Sequence, residues 1–226
     1  MALWERAGPR RGLLRLLTLD DGDKSLLLLK LEELIGLEGG RLTDTFWSNG
    51  LSKATEMFPS DLLLSLELPL SAPKLPEDLM IRPLRIDDYN RGYLQLLSQL
   101  TSVGDVSEEQ FQKRFVSMQN THPKGYYVVV LEEPSSGMIV GSATLVIEWK
   151  FIHEAGCRGR TEDVVVDKRM RGRQLGKILN FYLVQLARRI GVYKLSLECK
   201  DALIPFYEQF GFKLDQGNNF LVQRFK

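Results

Sequence analysis

Read as hydrophobic and polar positions, the chain changes character near Leu79. Downstream of it, apolar residues fall into two periods. Tyr126 to Leu131 and Ile139 to Trp149 read as strands joined by the turn signal Pro134-Ser135-Ser136-Gly137. Met80 to Leu84 is a short strand whose Pro83 suits an edge or an end. Arg160 to Val166 is another strand, Tyr193 to Cys199 alternates cleanly, and Phe212 to Leu214 and Phe220 to Phe225 read as closing strands. Helical spacing follows Asp87 and Asp88 at Tyr93, Leu94, Leu96, Leu97 and Leu100. It recurs at Phe111, Phe115 and Met118 behind the capping-box pattern Ser107-Glu108-Glu109-Gln110. A third helix carries Ile178, Leu179, Tyr182, Leu183, Leu186 and Ile190, and a short one over Ala202 to Phe210 stops at Gly211. The expected fold class is α/β (α+β), a mixed sheet with helices on its faces.

Upstream the pattern is irregular. Leu26 to Leu37 has helical spacing, but Gly36, Gly39 and Gly40 end it, and Pro59, Pro69, Pro73 and Pro76 punctuate the approach to the domain. Residues 1–77 are therefore expected to form an N-terminal extension, partly helical or disordered, ahead of a domain over 78–226. The start, MALWERAGPRRGLLRLL, is too interrupted by arginines for a secretory signal, and a mitochondrial presequence is the weaker reading. No apolar run reaches the roughly 20 residues that span a bilayer.

Composition changes this picture little. The chain has 226 residues, 44% hydrophobic, and a net charge of +1, which suits a globular protein with no global attraction for nucleic acid. Two cysteines, Cys157 and Cys199, make no disulfide framework, so a reducing, cytoplasmic setting is expected; peripheral association with endomembranes stays open. No metal-ligand spacing is present.

Candidate chemistry begins between the Arg160–Val166 strand and the helix after it. Arg171-Gly172-Arg173-Gln174-Leu175-Gly176-Lys177 is a basic, glycine-bearing turn at a helix N-terminus. Helix-start amides lack intrahelical partners and lie at the positive end of the helix dipole, which suits a phosphate. The loop lacks the spacing of a nucleotide P-loop and the G-x-G of a dinucleotide fingerprint. Taken alone, it reads equally as a basic helix cap.

The surroundings resemble the GNAT acetyltransferase superfamily, whose acetyl-CoA loop reads Q/R-x-x-G-x-G/A. Here Gln174 stands in place of the first glycine. Four further segments resemble the glucosamine 6-phosphate N-acetyltransferases: Leu100-Thr101-Ser102-Val103-Gly104, Glu148 to His153 (EWKFIH), Gly159 to Val166 (GRTEDVVV), and Tyr193 to Cys199 followed by Phe206-Tyr207-Glu208. Their order and spacing match that family over roughly Phe58 to Lys226.

The resemblance implies the GNAT fold, with a central mixed, mostly antiparallel sheet. It implies transfer of acetyl from acetyl-CoA to the amine of D-glucosamine 6-phosphate by direct attack, without a metal, feeding UDP-N-acetylglucosamine synthesis. Cofactor contacts are implied at Glu162, Asp163, Val164, Val165 and Val166, at Arg171, Gly172, Arg173, Gln174, Leu175, Gly176 and Lys177, and at Tyr207. Substrate contacts are implied at Thr101, Lys150, Phe151, Ile152, His153, Glu162, Asp163, Val164, Tyr193, Lys194, Glu198 and Arg224. Tyr207 becomes the acid that protonates the leaving thiolate, although such a residue also reads as a core aromatic. Glu198 and Asp163 become the carboxylates near the amine, with backbone groups of Glu162 to Val164 polarising the acetyl carbonyl. Lys194 and Arg224 become phosphate contacts, the lysine reaching a partner subunit's site in an intertwined homodimer. Leu203 stands where the family usually has asparagine, so weaker cofactor binding is expected, by roughly 0.5–1.5 kcal/mol for one lost net hydrogen bond.

Two rivals on the same scaffold are a protein or peptide N-acetyltransferase and a non-catalytic acyl-CoA-binding dimer. A cysteine nucleophile needs a base held against its thiol, and nothing in the sequence places His153 or His122 that way.

Overall fold

The computed structural model of the protein describes residues 55–225. The leucine-rich stretch Leu26 to Leu37, the arginine-rich start and the expectations attached to them lie outside the described residues. Five strands form one sheet in the order β1-β2-β3-β4-β5. They are β1 (Met80–Pro83), β2 (Tyr126–Glu133), β3 (Met138–Trp149), β4 (Cys157–Val166) and β5 (Lys194–Ser196). The first four pair antiparallel, and β5 joins β4 in parallel. A mixed, mostly antiparallel sheet therefore forms, as the sequence led one to expect.

The helices are α1 (Ser60–Leu64), α2 (Tyr93–Leu97), α3 (Glu108–Gln119), α4 (Leu175–Ile190) and α5 (Ile204–Glu208). Val128 to Leu131 of β2 are fully buried because both faces of the sheet are covered. Ile178, Leu179, Leu183 and Leu186 fill the apolar stripe of α4 against the sheet. α3 begins with the capping box that its sequence announces: Gln110 N donates to Ser107 Oγ, and Ser107 N donates to Gln110 Oε1. Residues ahead of the domain start expected at 78 also pack on it. Met57, Phe58 and Leu63 are buried, and the rings of Phe58 and Tyr127 lie 5.2 Å apart.

Four elements differ from expectation. The helix expected to run from Asp87 to Leu100 is split into a 3-10 turn, Ile86–Arg91, and α2. Gly92 breaks it with φ +79, and a Cβ there would meet Met138 Cε at 2.5 Å. Asp88 sits in the first turn of the 3-10 helix, accepting from the N-cap Arg85 N, and it is buried, accepting also from Arg82 Nη1 and Nη2.

β5 is shorter than the Tyr193 to Cys199 run. Its pairing ends at Arg160 with Ser196, two residues ahead of the point where β4 bulges, so the two strands part there. The closing strands expected at Phe212 to Leu214 and Phe220 to Phe225 are absent among the described residues. Leu214, Phe220, Leu221, Val222 and Phe225 are exposed. A strand needs an edge to pair with and a face to bury against. Three residues of β5 supply little of either.

Candidate active site

The site is built around an interruption in β4. Ser142 of β3 pairs with Val165 and Thr144 pairs with Glu162, so Asp163 and Val164 together face the single residue between. This is a β-bulge, and Asp163 adopts φ 51 to make it. A bulge takes backbone groups out of the ladder and turns them toward whatever lies beside the strand. Left-handed backbone at a residue other than glycine costs about 1–3 kcal/mol and concentrates at functional sites.

Beside the bulge lies an open cavity of about 900 Å³ between α2, α3 and strands β2 to β4. Tyr93, Phe111, Phe115, Val128 and Thr144 line it together with Glu162 and Asp163. Desolvation, and then the neighbouring Glu162 carboxylate, push the Asp163 carboxyl above its ordinary range.

Charged side chains continue on the same face of β4. Residues two apart on a strand share a face, which aligns Arg158, Arg160 and Glu162. Arg158 grips Glu148 of β3 with two hydrogen bonds of 3.0 Å, and Lys150 Nζ reaches the same carboxylate at 2.6 Å. Arg160 Nε donates to Glu162 Oε1 at 2.9 Å, and its Nη2 donates to Glu198 Oε1. Glu198 thus comes from the segment leaving β5, not from within a strand, and an arginine that the sequence reading passed over holds it. Their spacing at alternate positions of one strand was the available signal.

Arg158, and then Lys150, hold the Glu148 carboxyl at about 2 against an ordinary 4.5. The folded value is the lower one, so the stabilisation is present above pH 4.5 and is lost as pH falls toward 2. Solvent reaches this pair, which limits its worth to about 1 kcal/mol. Urea unfolding of Glu148→Gln should show a deficit of about that size near neutral pH. The deficit should shrink steadily below pH 4.5; one that stays constant with pH would count against the ion pair.

β4 leads directly into the basic turn. Gln174 is the N-cap of α4 with φ 58, a left-handed position where glycine carries no penalty. Gly172 has φ +84, and a Cβ there would meet nothing within 4 Å, so the loop backbone is open to a ligand. Arg171 is exposed, whereas Arg173 Nη2 pairs with Asp78 Oδ1 at 2.5 Å. The unpaired amides at the start of this sixteen-residue helix, the open glycine and the cations fit a pyrophosphate.

A Cβ on Gly176, in the first turn of α4, would lie 3.6 Å from Phe206 Cζ, so α5 is seated against the loop. Tyr207 follows on α5, its ring packed edge-on to Phe206 and Phe212. Burial, and then the Cys199 sulfur, push the Tyr207 phenol above 10, so it stays protonated at neutral pH. Neither cysteine is an activated nucleophile. Cys157 is buried among apolar residues and Cys199 adjoins Asp201, and desolvation raises both thiols.

The sequence model of the acetyltransferase (GNAT) family matches residues 89–212. The chain belongs to the GNAT acetyltransferase family. A protein of Drosophila melanogaster named probable glucosamine 6-phosphate N-acetyltransferase is 45% identical over 179 residues, 75% of this chain and 81% of that protein. The glucosamine 6-phosphate N-acetyltransferase of Arabidopsis thaliana is 39% identical over 137 residues, 61% of this chain and 91% of its own. A crystal structure of glucosamine-6-phosphate N-acetyltransferase from Arabidopsis thaliana, 37% identical, superposes with a TM-score of 0.58, covering 66% of this chain and 98% of that one.

Within this GNAT domain, the structure brings together Glu162, Asp163, Val164 and, through Arg160, Glu198. The Lys150-Phe151-Ile152-His153 segment forms a separate corner. His153, Glu154 and Ala155 all have positive φ, and the His153 ring stacks on Tyr193 at 4.0 Å. Phe151 is fully exposed. Thr101 is exposed in the turn after α2, Lys194 lies 3.9 Å from Asp215, and Arg224 sits in the strand-less C-terminal segment. Leu203, just ahead of α5, is exposed.

Proposed function

We propose that the protein transfers acetyl from acetyl-CoA to the 2-amino group of D-glucosamine 6-phosphate. The product, N-acetylglucosamine 6-phosphate, would feed UDP-N-acetylglucosamine synthesis. The observation that carries the reading is the bulge in β4 directly upstream of the phosphate-fitting loop. One strand thereby joins the cofactor grip to open backbone groups at the reacting centre. The sugar assignment is supported by the 45% identity to the Drosophila melanogaster relative over 81% of its length.

In this reading, the loop from Arg171 to Lys177 holds the pyrophosphate, with Leu203 weakening the grip on the pantetheine arm. Amides freed by the bulge polarise the acetyl carbonyl; one such donor is worth about 2.7–4 kcal/mol. Glu198 and Asp163 orient the sugar amine. Its nitrogen bonds to the thioester carbon, the carbon–sulfur bond breaks, and nitrogen loses a proton to solvent. Sulfur takes one from the Tyr207 hydroxyl, and the phenolate left behind regains a proton from solvent. Thr101, the Lys150–His153 corner and Tyr193 surround the sugar, and Lys194 and Arg224 meet its phosphate.

The exposed Trp149, Phe151, Ile152 and C-terminal apolar residues support a homodimer in which these surfaces are covered. Among the described residues, no helix is long and apolar enough to cross a membrane. A cytoplasmic setting accords with two free cysteines.

The test supplies purified protein and acetyl-CoA with glucosamine 6-phosphate or with peptide amines, following CoA thiol release. Turnover on the sugar phosphate is expected. Turnover confined to peptides would move the protein to the peptide-acetylating rival, and tight CoA binding without thiol release on either amine to the non-catalytic one.

A further inference from the structure

We propose that Arg160 is a positioning residue that sets the protonation state of the attacking amine. It rests on the transferase reading above and adds to it the control of the nucleophile. Arg160 is the sole link between Glu162 and Glu198 among the described residues, one carboxylate on β4 and the other on the segment leaving β5. It binds Oε1 of each, and Oε2 of each accepts no hydrogen bond among the described residues. The arrangement leaves two acceptors open, held by one cation at their backs.

An amine reaches this face mostly as ammonium, whose lone pair is tied up. Two bare carboxylates would stabilise that form and leave it unreactive. With the guanidinium between them the cluster carries one net negative charge. It still accepts N–H groups, but a second positive charge is disfavoured beside the first. Arg160 itself does not titrate, since Glu162 and then Glu198 raise it further above its ordinary value.

Other charges also face the cluster. Arg158 of β4 and Lys150, just past β3, share the single Glu148 carboxylate, which leaves one net positive charge there, held at Glu148. From β5, Lys194 faces Asp215. From α3, Lys113 and Arg114 border the cavity that Glu162 and Asp163 line, and Lys113 pairs with Glu109. Asp163 stands at the bulge, its carboxyl raised, and Tyr207 beside Cys199 is neutral. Arg160 is the fixed cation that directly touches the carboxylates of the amine site.

The test measures kcat and KM for glucosamine 6-phosphate against pH at saturating acetyl-CoA, with the full chain as wild type, Arg160→Gln, Arg160→Lys and Glu198→Gln. The pH profile of kcat reports groups in the enzyme–substrate complex. In Arg160→Gln the acid limb should rise by about one pH unit, so kcat falls about tenfold near neutrality and recovers toward wild type in alkali. KM for the sugar should stay level or fall, because the unpaired carboxylates hold ammonium more tightly. Arg160→Lys should return the limb toward its wild-type position. Glu198→Gln should move it the opposite way, which keeps the test decisive if Arg160→Gln does not fold.

A loss of kcat equal at every pH, or a rise in KM with the limb unmoved, would reduce Arg160 to a structural ion pair and overturn the inference. A wild type that acetylates peptides but not the sugar defeats the transferase reading, and this inference with it. A wild type active on the sugar, with unmoved limbs in the variants, defeats the inference alone.

Discussion

Tyr207→Phe should slow acetyl transfer by about 10²-fold or more while CoA affinity changes less than about twofold. The split follows from what the substitution keeps. Phenylalanine preserves the ring that packs on Phe206, Phe210 and Phe212, so α5 and its seat against the loop survive. Only the hydroxyl is removed. Burial, and then the Cys199 sulfur, hold that hydroxyl protonated, and it accepts or donates no hydrogen bond among the described residues, leaving it available to a departing thiolate. The resting phenol still carries its proton well above neutrality, so wild-type activity should persist into mild alkali. Calorimetric titration with CoA and single-turnover acetylation separate the two effects. Unchanged turnover would remove Tyr207 from the acid role, and a parallel loss of affinity would make it a packing residue.

Asp88→Ala should destabilise the domain by about 3–5 kcal/mol, enough to lower Tm by on the order of 10 °C. Asp88 is fully buried and accepts from both terminal nitrogens of Arg82, at 2.8 and 2.7 Å, and from Arg85 N. Removing it leaves the Arg82 guanidinium, itself 3% exposed, with Glu132 as its remaining carboxylate. The cost is that of a buried, half-compensated charge, not of one contact. Its sequence neighbour gives the control. Asp87 pairs with Arg91 at 3.2 Å in solvent, so Asp87→Ala should cost under about 0.5 kcal/mol. Equal effects in thermal and urea unfolding would refute the burial argument.

Elements governed by local chemistry were legible in the sequence. Ser107 and Gln110 cap α3 as their spacing requires, Pro134 to Gly137 turns the β2–β3 hairpin, and the apolar period of α4 faces the sheet. Departures occur where a distant partner decides. Asp87 and Asp88 look alike, yet one is exposed and the other is drawn inward by Arg82. Phe220 to Phe225 has strand-like residues, but pairing depends on an edge that no local pattern reveals. At the candidate site, resemblance pointed to Asp163 and Tyr207. Arg160 was not, because a charged residue on an alternating strand looks the same whether it faces solvent or two carboxylates.

By itself the sequence determined the order of the elements, the basic turn between β4 and α4, and the family to which these motifs belong. The first two follow from periodicity and turn chemistry along one dimension, and the family from the resemblance of its motifs. Only the tertiary structure decided the register of β5 on β4. Gly159 leaves room there: a Cβ on it would meet Leu195 Cδ1 at 2.9 Å and Leu145 Cδ1 at 3.0 Å. That packing sets Arg160 opposite Ser196 and brings Glu198, thirty-eight positions away, onto its guanidinium. Periodicity says which face a side chain takes, but burial across strands chooses which face meets which.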